Sequence, residues 1–215
     1  MDSLGMKPEA IETESFRIIE AEAGNHDWNE KEWQVVRRVI HTSADFEYLH
    51  TMIFSEGALE KAVEAIRGGA GIVTDTNMAL SGISKPRLVP FACLTSCHVG
   101  DSDVGALAQR EGITRSITAM RKAVANRANR IFVIGNAPTA LFELLRLIKD
   151  GQANPLLIIG LPVGFVGAEE SKKALAELDS QVPFITNIGR KGGSNVAAAV
   201  VNALAILAAV KPVKQ

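Results

Sequence analysis

Three times in its second half the chain repeats one local pattern: a short aliphatic run, a glycine turn, then residues at helical spacing. The segments are "RIFVIGNAPTALFELLRLIKDG", "NPLLIIGLPVGFVGAEESKKALAEL" and "PFITNIGRKGGSNVAAAVVNALAIL", turning at Gly135, Gly160 and Gly189. The earlier "GIVTDTNMALSGI" has the same strand-to-loop character. Alternating strands and helices predict parallel strands, with helices packed on both faces of the sheet. The expected fold is therefore α/β, a mostly parallel sheet with helices on both faces. It forms a single domain over residues 1–215, the first ten or so being a flexible segment. In such sheets the loops that leave the strands gather at one edge, where ligands bind. The conspicuous polar–glycine loops of this chain all belong to that edge.

Other elements are legible from caps and spacing. Asn29 can cap a helix carrying Trp33, Val36 and Ile40 on one face, with Glu32 as capping-box partner. Ser55 is expected to cap the next helix, whose stripe is Leu59, Ala62, Val63 and Ile66 and whose stop is Gly68. "GIVTD" reads as a strand, and "RLVPFACL" as a second, weakened by Pro90.

Composition narrows the class. Hydrophobic residues make up 47% of the chain and aromatic ones only 5%, so the core is aliphatic. A net charge of −1, with both signs scattered, argues against a nucleic-acid surface. No apolar run reaches the roughly 18 residues that suggest a membrane span. "VAAAVVNALAILAAV" is broken by Asn202 and has the length of a buried helix. The N-terminus lacks the basic start and apolar stretch of a signal peptide, which points to a cytoplasmic protein. Cys93 and Cys97 are too few for a disulfide framework.

The loops carry the candidate chemistry. In "NAPTALFELL", Asn136 precedes Pro138 at the first helical position. Free N–H groups at Thr139 and its neighbours can meet an anion; the plain alternative is a good strand–turn–helix connection. In "GRKGGSN", Arg190 and Lys191 sit among Gly192, Gly193 and Ser194 just before a helix, a composition that suits a carboxylate or phosphate cradle. "GLPVGFVGAEESK" can wall off a flat ligand, or pack beneath helices. In "GITRSITAM", Thr114 is a natural cap, followed by Arg115 and Ser116. A cation in the first turn opposes the helix dipole, which suggests an anionic ligand or an ion pair. Asp75 and Thr76 end a strand and either face a ligand or cap a turn.

Dinucleotide, P-loop and hydrolase-elbow motifs are absent. "CLTSCH" has neither the spacing nor the fourth ligand of a closed zinc site, so no metal is expected there. His26 and His50 lie in no pattern that suggests catalysis. His41 ends an apolar-periodic segment, and the small residues Thr42, Ser43 and Ala44 follow it. It is either a packed structural histidine or an acid–base group with room for a ligand beside it.

Taken together, "IETESF", "VIHTSADF", "GGAGIVTDTNMALSGI", "GITRSITAM", "IGNAPTALFELL", "IIGLPVGFVGAEESK" and "GRKGGSNVAAAVVNAL" resemble the precorrin-8X methylmutases, including cobalt-precorrin-8 counterparts, of corrinoid biosynthesis. The matching segments run from Ile11 to Leu204. The resemblance implies a homodimeric isomerase acting on a large anionic tetrapyrrole, with a methyl group moving from carbon 11 to carbon 12 of ring C. It implies no cofactor: cobalt, where present, arrives with the substrate. His41 matches the family's active-site histidine, expected to protonate or hydrogen-bond the ring-C nitrogen. Ser15 and Arg115 match its ligand contacts. Thr42, Asp75, Thr76, Ser116, Asn136, Thr139, Arg190, Lys191, Gly192, Gly193 and Ser194 complete the candidate substrate-binding set. The competing expectations are a tetrapyrrole-binding protein without catalysis and an unrelated phosphate- or nucleotide-binding enzyme.

Overall fold

A computed structural model describes residues 7–178 and 182–210. The chain opens with α1 (Pro8–Ala23), α2 (Glu30–Ser43), α3 (Tyr48–Thr51), β1 (Met52–Phe54) and α4 (Ala58–Arg67). It continues through β2 (Gly71–Thr74), α5 (Asn77–Gly82), α6 (Lys85–Leu88), β3 (Thr95–Cys97), α7 (Ser102–Glu111) and α8 (Arg115–Ala125). The second half holds β4 (Asn129–Ile134), α9 (Pro138–Lys149), β5 (Leu157–Gly160), α10 (Ala168–Ala176), β6 (Phe184–Asn187) and α11 (Ser194–Ala209). Residues 1–6 of the expected N-terminal segment lie outside the described residues, and Pro8 already belongs to α1.

The six strands form one sheet in the order β1-β6-β5-β4-β2-β3. All pairs are parallel except β1–β6. Side chains alternate across the sheet, as a period of two demands. Ile131, Val133, Leu157, Ile159 and Ile185 enter the core built with α2, α4 and α11. Phe132, Ile134 and Ile158 enter the opposite core with α8, α9 and α10. Burial on both faces is why these strands read as unbroken apolar runs.

Helix α11 is buried nearly all round, which its Ala- and Val-rich sequence requires. Its interrupting Asn202 has a tertiary partner: Oδ1 accepts from Ser84 N–H at 2.8 Å and Nδ2 donates to Gly82 O at 2.9 Å. No helix among the described residues is long and apolar enough to cross a membrane.

Local signals held where side chain and backbone agreed. Asn29 and Glu32 form the expected capping box on α2. Two expectations are corrected. Ser55 does not cap α4; Gly57 precedes that helix in a left-handed conformation (φ 67°). Ser55 instead joins β1 to β6, its Oγ accepting from Phe184 N–H at 2.8 Å. "RLVPFACL" is not a strand. Its first residues finish α6, which Pro86 opens, and Pro90 sits in a following 3-10 turn, Val89–Phe91; the strand begins only at Thr95.

The order of strands places the site. From β2 the chain steps outward to β3, then returns to β4 and steps the other way through β5 and β6. The loops after β2 and β4 therefore diverge, and the crevice between them is where ligands bind in open α/β sheets.

Candidate active site

At that crevice stands Asp75, only 3% exposed. Gly135 N–H donates to its Oδ1 at 2.9 Å, and the N–H groups of Asn136 and Ala137 donate to Oδ2 at 2.9 and 2.7 Å. The anion that the α9 start favours is thus the protein's own carboxylate. Burial pushes the Asp75 carboxyl above its ordinary value, and the three N–H donors pull the other way. Of the two alternatives open for Asp75, a ligand contact or a turn cap, the geometry displays the second: both its oxygens accept from the β4–α9 loop, locking the two diverging loops together.

A chain of contacts spreads from this lock across the strand ends. Gly135 approaches α11 so closely that a Cβ there would lie 2.8 Å from Ser194 Cα. The Ser194 and Thr76 hydroxyls meet at 2.8 Å, while Thr76 also caps α5 through Ala79 N–H. Asn195 Nδ2 donates to Thr42 O at 3.4 Å, bringing the α11 start to the end of α2. On the other side, the hydroxyls of Thr139 and Thr114 meet at 3.3 Å. That contact brings the α8 start, with Arg115 and Ser116, to the same edge.

His41 sits in the last turn of α2, exposed, its ring 5.1 Å from that of Phe16. Neither imidazole nitrogen has a hydrogen-bond partner among the described residues. Phe16 comes from α1, directly after Ser15, and is itself flanked by the guanidinium groups of Arg37 and Arg38. The small residues after His41 let the chain turn away: Ala44 is left-handed (φ 52°) and its N–H closes the helix onto Ile40 O.

The glycine loops are docked onto each other. Gly193 N–H donates to Leu161 O at 2.9 Å, and Gly164 N–H to Arg190 O at 3.2 Å. A Cβ on Gly192 would lie 2.2 Å from Leu161 O. These glycines therefore serve close backbone packing, and the Gly193 N–H is not free for a ligand. We expect Gly192→Ala to cost about 1–3 kcal/mol, because the contact forces the loops apart; an unchanged urea midpoint would contradict this.

The cations of the site differ in their engagement. Lys191 Nζ pairs with Asp45 at 2.5 Å and Glu47 at 2.8 Å, which raises its pKa and lowers that of Asp45. Arg115 and Arg190 are exposed and make no ion pair with a described residue. Arg190 lies 5.7 Å from the ring of Phe165. Phe165 and Val166, at the tip of "GLPVGFVG", are 86% and 89% exposed. The edge thus presents the uncommitted guanidinium groups of Arg115 and Arg190, an apolar tip and the imidazole of His41.

Three features of the site were not read from the sequence. Helix α1 carries no strong stripe, so the partner ring of His41 was missed. Asp45 and Glu47 neutralise Lys191 across 146 and 144 residues, a relation no local pattern encodes. Lys172, 2% exposed, lies beneath the Arg190 loop. Burial lowers its ammonium pKa from 10.5 to about 8. Between pH 8 and 10.5 the unfolded chain still binds that proton and the folded one does not, so stability rises with pH across the window. Relative to Lys172→Met, the wild type should gain up to about 3 kcal/mol there in urea unfolding. A pH-independent difference between the two would mean that the ammonium is not desolvated.

In the "CLTSCH" segment, Cys93 Sγ donates to Ile66 O at 3.2 Å and His98 Nδ1 lies 3.0 Å from Asp101 Oδ2. No group of three or more His, Cys, Asp or Glu among the described residues is arranged to hold a metal ion.

The arrangement has recognisable relatives. The family model described as Precorrin-8X methylmutase matches residues 10–207. A cobalt-precorrin-8 methylmutase of Priestia megaterium is 49% identical over 205 residues, covering 95% of this chain and 90% of that relative. The cobalt-precorrin-8 methylmutase of Salmonella typhimurium is 46% identical over 204 residues, covering 92% and 94%. Among solved structures, the precorrin-8X methyl mutase from Thermus thermophilus superposes with a TM-score of 0.85 at 42% identity, covering 93% of this chain and 98% of that one. Matched over nearly its whole length by model, sequence and fold, the chain belongs to the precorrin-8X methylmutases, a family of isomerases.

Proposed function

We propose that this isomerase acts on precorrin-8 in cobalamin biosynthesis, in the cytoplasm and as a homodimer. It moves a methyl group from carbon 11 to carbon 12 of ring C and yields cobyrinate or hydrogenobyrinate. The observation that carries the reading is the uncommitted imidazole of His41, at the edge that also presents Arg115, Arg190 and the exposed Phe165–Val166 tip. A flat apolar macrocycle rimmed with carboxylates needs cations around its rim and apolar surface across a face. This edge supplies both.

The migration is intramolecular: the bond to carbon 11 breaks as the bond to carbon 12 forms. It needs no methyl donor, oxidant or reductant, and any cobalt belongs to the substrate. What the protein must add is orientation and one proton handler. His41 lends a proton or a hydrogen bond to the ring-C nitrogen, favouring the tautomer from which the methyl group moves. The lock at Asp75 holds the β4–α9 loop, and Thr139–Thr114 holds Arg115 beside it.

The test is to incubate the purified protein with cobalt-precorrin-8 and with metal-free precorrin-8X, following each absorption spectrum to completion. Conversion of at least one supports the reading. Tight binding of the corrin product with no conversion of either would leave a tetrapyrrole-binding protein instead.

A further inference from the structure

Lys172 sets a physical puzzle. A buried ammonium is costly unless a carboxylate faces it, and replacing such a charge by an apolar side chain is often neutral or stabilising. No carboxylate among the described residues lies within ion-pair distance of Lys172 Nζ; Glu169, on the same helix, acts on it only from further away. Its acceptors are neutral: Asn187 Oδ1 at 3.1 Å and Lys191 O at 2.6 Å. Stability alone does not explain a lysine here.

Its partners suggest the purpose. Asn187 ends β6 and is 1% exposed. Its Nδ2 donates to Ile188 O and to Lys191 O, each at 3.0 Å. The carbonyl of Lys191 therefore receives two donors from below, while Lys191 Nζ is held from above by Asp45 and Glu47. Asp45 lies four residues after His41. The backbone that carries Arg190 is thus tied at both ends of a short turn and registered to the segment that carries His41.

We propose that Lys172 and Asn187 are positioning residues for substrate binding: a two-residue clamp that sets the Ile188–Lys191 turn and so aims Arg190 at the rim of the macrocycle. The clamp touches neither the ring nor the migrating methyl group. It rests on the reading of the site as a precorrin-8 pocket only in what Arg190 meets. A clamp of this kind governs binding that is equal in ground and transition states, which appears in KM and not in kcat.

The test uses the full chain with Lys172→Met, Asn187→Ala and the double variant. In each single variant KM for the precorrin-8 form that the wild type converts should rise by about tenfold, with kcat within about threefold of wild type. The double variant should be no worse than the poorer single one, since the two residues act as a unit. Without any substrate, amides of residues 188–193 should exchange faster with deuterium in both single variants. Wild-type KM and wild-type exchange in Lys172→Met would overturn the clamp, as would a fall in kcat at constant KM, which would put Lys172 in the chemistry. If Lys172→Met fails to fold, Asn187→Ala decides by the same measurements. If the wild type converts neither substrate, the exchange experiment still tests the clamp while the functional reading falls separately.

Discussion

His41→Ala is expected to lower kcat by about 10²–10⁴-fold, the range that a positioned general acid or base contributes. Binding of the corrin product should be largely kept. The argument is one of division of labour. Arg115, Arg190 and the Phe165–Val166 tip present charge and apolar surface that the substitution leaves untouched. His41 makes no hydrogen bond to a described residue and packs by one ring contact, at 5.1 Å, against Phe16. Its loss therefore disturbs little structure. Single-turnover absorbance changes on mixing with precorrin-8 report the step, and titration of the product reports binding. Wild-type turnover in the variant would remove His41 from the mechanism. Loss of binding together with turnover would make it a contact and not a proton handler.

Asp75→Ala should be the most destabilising single change at the site, by about 3–5 kcal/mol. The variant leaves three backbone N–H groups at a buried helix start without their acceptor, each worth about 1–3 kcal/mol when unpaired. Relief of the buried charge offsets part of that. Against a total stability of about 5–15 kcal/mol for a domain, the loss is severe. Asp75→Asn should fall between the two, because its amide keeps one acceptor oxygen and turns a donor toward a donor. Urea unfolding of the three proteins gives the ranking. Asp75→Ala within about 0.5 kcal/mol of wild type, the range of ordinary surface changes, would show that the lock contributes nothing.

The glycine-punctuated strand ends made the sheet and the edge of the site legible from the amino-acid order alone. Asn29 with Glu32, Thr114 and Pro138 announced helix starts because each acts locally: the first three on N–H groups within a few residues, the proline through its fixed φ and missing N–H. Ser55 misled for the same reason in reverse: it has the chemistry of a cap, but Phe184, 129 residues away, claims its hydroxyl. Asp75 was open to two readings. A carboxylate at a strand end looks the same whether it meets a ligand or the next loop. Only the placing of Gly135, Asn136 and Ala137 around it decides.

What the amino-acid order determined by itself was the alternation of period-two and helical segments. That alternation forces a parallel sheet with two apolar faces and collects the loops at one end. It also singled out His41, Arg115 and Arg190, whose chemistry is a property of the side chain wherever it stands. Which groups are already committed is a different matter, because an ion pair or a carbonyl contact forms between residues far apart in the chain. The tertiary structure decided that Lys191 is neutralised by Asp45 and Glu47, that Asp75 is sealed by three N–H groups, and that Lys172 lies buried under the turn it holds.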